Sequence, residues 1–168
     1  MKKFVCILLI ALSLVSLTSC LGAKARARGA QQTAEEINAA SHLPLPLLTP
    51  HEDVREELRA DQSMDYINNF MSFDYYAPAY VLIFQGFPED DSASCLTSVE
   101  LSSDAYDILG VKVGGDIAQG AAVIRDNGFT EDEDAFSKNG VFITLEGDTT
   151  IESIRVKVPS EYTSGNIY

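Results

Sequence analysis

Leu109-Gly110-Val111-Lys112-Val113-Gly114-Gly115-Asp116 opens the stretch that decides the fold, which runs on to Ser160. Val111 to Val113 reads as short and extended, and Gly114-Gly115 turns the chain. Asp116 can cap a helix, with Gln119 at the third position. Ile117, Ala121 and Ile124 fall on one side of that helix. Gly120, Ala121 and Ala122 are small enough to let it approach a sheet closely. Asn127-Gly128 stops it, because Gly takes the left-handed conformation without a Cβ penalty. Glu131 to Asp134 reads as loop and Lys138-Asn139-Gly140 as a turn. Val141, Ile143 and Leu145 then alternate with Phe142, Thr144 and Glu146. Beyond Gly147-Asp148, Ile154, Val156 and Val158 alternate with Ser153, Arg155 and Lys157. Both runs are half-buried strands.

A looser version of this order lies upstream. Tyr80 to Gln85 is β-branched and aromatic, hence a strand, and Leu96 to Ser102 alternates. Gly86 to Ser94 is an acidic loop between them. Tyr80–Phe84 aligns with Val141–Leu145, and Ser98–Leu101 with Ser153–Val156. This predicts a tandem repeat, with one unit at about 45–103 and the other at about 109–160. Neither hairpin is stable alone in water. The expected fold is α+β: helix-plus-hairpin repeats forming one antiparallel sheet, with a fifth strand at Val111–Val113 and the helices on one face.

Four further readings fill the first unit. Leu43-Pro44-Leu45-Pro46-Leu47-Leu48 is extended and lies on the core or along a sheet edge. Thr49-Pro50-His51-Glu52 starts a helix carrying Val54 and Leu58 on one stripe. Met64, Ile67, Phe70 and Met71 have the spacing of a second helix. Phe73 to Pro78 breaks it.

The beginning of the chain reads as an address. Lys2 and Lys3 precede an apolar run from Phe4 to Leu17, too short for a membrane span, and Leu17-Thr18-Ser19-Cys20 follows. That order resembles the lipobox of bacterial lipoproteins, which are cut before the cysteine and acylated on it. The resemblance implies a signal peptide at 1–19 and a lipid anchor at Cys20. It places the protein in the cell envelope, on the outer membrane if the cell has one. Residues 20–32 read as a flexible tether and 33–168 as a single domain, opening with a short helix at Thr33–Ala40. With Cys6 removed and Cys20 acylated, only Cys95 remains, so the mature chain has no internal disulfide.

All 25 acidic side chains lie at Glu35 or later, against seven basic ones, a balance of −18 for the folded part. Such a body is repelled by nucleic acid and by anionic lipid. Lys24, Arg26 and Arg28 stand apart from it, beside the anchor.

Chemistry is hard to find. Nucleophilic catalysis needs Ser or Cys beside an oriented His. His42 and His51 read as surface residues, and Cys95 as a buried, inert thiol. Glu89-Asp90-Asp91 and Glu131-Asp132-Glu133-Asp134 lack the alternate ligand spacing of a calcium loop. No cofactor motif is present. The informative residues are apolar ones on the outer strand face: Val81, Ile83 and Phe142. Phe87 and the Phe73, Tyr75, Tyr76 cluster are placed in nearby loops. An apolar sheet patch rimmed by acid is the form of an interaction surface, unless the Pro-rich segment or the N-terminal helix covers it.

The address, the Gly-Val-Lys-Val-Gly-Gly-Asp turn into a helix and the hairpin after it resemble two groups. One is the small lipoprotein of the outer-membrane barrel-assembly machinery. The other is the tandem-repeat fold of the β-lactamase-inhibitory proteins. The resemblance implies a non-enzymatic protein-binding role, with no functional residue carried over. The acidic charge favours a basic envelope partner. The alternative expectation is a small-molecule or calcium-binding module.

Overall fold

The computed structural model describes residues 22, 24–58, 62–67, 70–86 and 94–159. Eight strands form one antiparallel sheet: β1 (Gln62–Ile67), β2 (Phe70–Ala77), β3 (Tyr80–Gly86), β4 (Cys95–Leu101), β5 (Thr130–Asp132), β6 (Ala135–Lys138), β7 (Val141–Glu146) and β8 (Ser153–Lys157). Their order is β1-β2-β3-β4-β8-β7-β6-β5. Two four-stranded meanders thus meet through their last strands. Among the described residues three helices accompany them: α1 (24–40), α2 (His51–Val54) and α3 (Ile117–Asp126).

The α+β class and the single antiparallel sheet are as expected. Both expected hairpins form, β3 with β4 and β7 with β8. Leu82, Phe84, Val99, Leu101, Ile143, Ile154 and Val156 are completely buried on the inner face. Each such side chain contributes about 1.5–3 kcal/mol through its removal from water. The Asp116 carboxylate accepts from the Gln119 N–H at 2.9 Å, and Gly128 ends α3 at φ 84. At Gly120 a Cβ would stand 2.9 Å from Ile151 Cδ1 and 3.0 Å from Val111 Cγ1. The small residue is what lets α3 lie so close.

Several expectations are corrected. Met64, Ile67, Phe70 and Met71 belong to β1 and β2, not to a helix. Gln62 faces Tyr75 and Ile67 faces Phe70 across that hairpin. Phe73, Tyr75 and Tyr76 are strand residues of β2 rather than loop. Aromatic side chains favour a pleated surface, and this preference overrides a helical spacing of four residues. The helix begun at His51 is a single turn, with Pro50 at its cap. Thr49 is turned back, its hydroxyl donating to the Pro46 carbonyl at 2.7 Å. Glu131–Asp134 is not all loop: Glu131 and Asp132 belong to β5, and Glu133-Asp134 are the tight connection to β6, with Glu133 at φ 49. Val111 forms only an isolated bridge to Ile108 across Leu109-Gly110, so no strand runs from Val111 to Val113.

The expected tether is corrected over residues 24–32, which are helical. Ala27, Ala30, Ala34 and Ile37 are buried along one stripe. Ala, Arg and Gln are strong helix formers, and the short alanines suit close packing. The Pro-rich segment lies on the core through Leu47, which the Asn38 side chain grips by two hydrogen bonds of 2.8 and 3.1 Å. It then runs beside β4, where the Leu48 N–H donates to Leu96 and Leu96 returns a bond to Thr49.

The two halves share a register. β2 joins β3 through Pro78-Ala79, and β6 joins β7 through Asn139-Gly140. Val81 and Phe142 each follow such a turn by two residues. Val81 faces Glu100 and Phe142 faces Lys157. Glu100 therefore matches Lys157, and the alignment of Ser98 with Ser153 is off by one pleat.

Candidate interaction surface

On the side of the sheet away from the core, the register sets side chains in two rows. One runs Asp74, Ile83, Ser98, Lys157, Phe142, Ser137. The other runs Tyr76, Val81, Glu100, Arg155, Thr144. Alternation along each strand forces this: a residue whose neighbours are inward must point outward. Tyr76 and Phe142 are 48% and 41% exposed, and Val81 and Ile83 are half-buried. Phe87 lies outside the described residues.

The apolar members do not form one patch. β3 and β7 are three strand spacings apart, about 14 Å. Between them Arg155 Nε donates to the Glu100 carboxylate at 2.9 Å, and Glu146 lies 3.8 Å from the same guanidinium. The Ser153 hydroxyl donates to Glu146 at 2.9 Å. This group is partly exposed, so it contributes at most about 1 kcal/mol. Its role on this face is to separate Tyr76, Val81 and Ile83 from Phe142. The Ser98 hydroxyl donates to the Val156 carbonyl and is buried.

A second concavity lies between α3 and the β5–β6 hairpin. It holds about 330 Å³ and is floored by Ile117, Ala121, Phe136 and Leu145. Glu131, Glu133 and Asp134 rim it. Arg125 ties to Glu131 through two N–H donors at 2.6 and 2.9 Å and rests over the Phe136 ring at 5.8 Å. Among the described residues no three His, Cys, Asp or Glu side chains are grouped closely enough to hold a metal ion. Glu89, Asp90 and Asp91 lie outside the described residues.

His42 is exposed, as expected, and tilts against Tyr106. His51 corrects the expectation of a surface residue: it is 4% exposed. Its ring stacks on Phe73 at 4.1 Å and meets Phe84 at 5.1 Å, and Nε2 lies 2.6 Å from the Tyr75 hydroxyl. Sequence reasoning missed this group because it needs β2 as a strand. The alternation Phe73, Tyr75 was the available signal. Cys95 is buried, and its backbone bridges to Pro50.

No family model matches the chain, and no curated protein matches it. Among solved structures, a crystal structure of a cysteine-rich secretory protein from Staphylococcus aureus subsp. aureus Mu50 is similar, with a TM-score of 0.45 and 11% identity. The match covers 67% of this chain and 44% of that one, so this chain spans less than half of that protein's length.

Proposed function

We propose that this protein is a non-enzymatic envelope lipoprotein, anchored at Cys20, that binds another protein through the outer face of its sheet. The observation that carries the reading is the exposure of Tyr76 and Phe142 there, at 48% and 41%. A sheet face that only met water would carry polar side chains at those positions. From residue 24 on, ten basic side chains stand against 25 acidic ones, and this −15 balance favours a basic partner. We read the domain as two repeated units, in line with the tandem-repeat resemblance. The paired two-residue turns and the meeting of β4 with β8 support that reading.

The test immobilises the folded domain and challenges it with envelope extract, beside a Val81→Asp, Phe142→Asp variant of unchanged circular dichroism. A basic protein held by the first and not by the second is the expected result. Equal capture by both ends the surface reading. Labelling with palmitate, lost in Cys20→Ala, tests the anchor separately. The acid-rimmed cleft beside α3 favours a second reading, a cationic ligand or calcium. A bound ligand of the native state must raise the melting temperature, so an unchanged melting curve with calcium would remove that ion from it.

A further inference from the structure

α1 is fixed to one end of the sheet. At Gly29 a Cβ would lie 3.2 Å from the Asn139 side chain, which itself donates to the Thr33 hydroxyl at 3.1 Å. The Lys138 ammonium donates to Glu36 at 2.8 Å. The helix is therefore pinned across the β6–β7 turn. Its first turn reaches beyond that point. Arg26 precedes Thr33 by seven residues, two helical turns, and so lies on nearly the same side. Thr33 is completely buried, yet Arg26 is exposed. Ala27 in that turn is buried, so the helix is still covered on one side there, while Arg26 and Arg28 are exposed and Lys24 is half-buried. None of the three makes an ion pair among the described residues.

Only three residues, Leu21, Gly22 and Ala23, lie between Cys20 and residue 24, which makes four Cα-to-Cα steps. Fully extended, they reach about 14 Å. We infer that α1 is a rigid strut that sets the domain's orientation on the membrane, with Lys24, Arg26 and Arg28 against anionic phospholipid headgroups. The inference rests on the proposed acylation of Cys20. The β6–β7 turn then faces the bilayer. The β7–β8 turn at Asp148 lies at the other end of β7, about 20 Å further out for a six-residue strand. The outer sheet face stands side-on to the membrane and open. The acidic remainder is repelled by the same surface, so only the α1 side can approach. Three cations at a headgroup surface favour the pose roughly a hundredfold over that on a neutral bilayer.

The experiment uses the mature, full-length chain reconstituted into vesicles of phosphatidylglycerol and phosphatidylcholine. A fluorophore is placed at Ala25→Cys or at Asp148→Cys, both in Cys95→Ala, with a quencher on the lipid headgroups. The Ala25 site is expected to quench several-fold more than the Asp148 site. That difference should shrink in Arg26→Glu, Arg28→Glu, in pure phosphatidylcholine, and with a Gly-Ser spacer after Leu21. Equal quenching at the two sites, or a difference indifferent to charge reversal, overturns the strut. Mass spectrometry of the same preparation separates the two readings. A mature chain without acyl groups on Cys20 ends both, whereas an acylated chain with equal quenching ends only the orientation.

Discussion

The two four-stranded halves of the sheet share one topology and are covered in opposite ways. Over the second half lies α3, and it comes close because Gly120 presents no side chain to Ile151 and Val111. Over the first half the cover is thin: α2 is a single turn. There the space is filled by rings, with His51, Phe73, Tyr75 and Phe84 in mutual contact. Interiors are packed to the density of organic crystals. Two meanders of the same shape can therefore be sealed either by bringing a helix backbone near or by building side chains outward. The difference teaches that the sheet is the common frame and that the cover is free to vary.

The sharpest way to break this comparison is to empty the ring cluster. Phe84 is completely buried against His51 and Tyr75, and Phe84→Ala should cost about 4 kcal/mol in urea unfolding. A loss below about 1 kcal/mol would mean that the rings do not seal the first half. In the second half the corresponding attack is to add volume. Gly120→Leu should cost about 2 kcal/mol through overpacking. Gly120→Ala should be close to neutral, because the contacts are side-chain ends able to shift and Ala gains about 1 kcal/mol in helix propensity. If Leu is accepted as readily as Ala, α3 is not held close.

The same contrast explains what could be read beforehand. The second half announces itself by local chemistry. The Asp116 cap, the Asn139-Gly140 turn and the alternation of Val141 to Leu145 each act within a few residues. The first half depends on partners far away in the chain. Met64, Ile67, Phe70 and Met71 fit a helix by spacing, and only pairing with β2 and β3 makes strands of them. Asn68-Asn69, which lie outside the described residues, stand between two runs of β-formers, and Asn is a residue type that favours turns. The Ala-rich start of α1 looked like a tether because its buried face is made of methyl groups, which carry little hydropathy. The outward parity of Val81, Ile83 and Phe142 followed from alternation alone. The polar Arg155–Glu100 group that divides them did not, since it depends on β4 lying beside β8.

The turns give a smaller test. Asn139 and Gly140 take φ 51 and 84, whereas Pro78 and Ala79 are not in the left-handed region. A β-branched side chain is strained at such a φ, so Gly140→Val should cost about 1–2 kcal/mol. Ala79→Val at the matching turn should change stability by less than about 0.5 kcal/mol. Equal losses would mean that the halves do not differ at their turns.

The smallest expected effect concerns how α1 joins the second half. The hydrogen bond from Lys138 and then that from Gln32 hold the Glu36 carboxyl below its ordinary range, with the nearby Lys138 charge adding to it. A carboxylate depressed in the folded state adds stability above its unfolded pKa and loses it as pH falls through the folded one. The Glu36–Lys138 link is therefore complete at neutral pH and lost below the usual carboxylate range. The group is exposed, so the change belongs to the fastening of the helix rather than to global unfolding. Amide exchange over 24–40 should accelerate, relative to the intrinsic rate, as pH falls through that window, while β7 and β8 keep their protection. Glu36→Gln should remove the pH dependence and leave the helix at its low-pH rate throughout. If the variant and the parent lose protection together on acidification, other carboxylates fasten α1, and its hold on the sheet lies in Asn139 and the buried alanines alone.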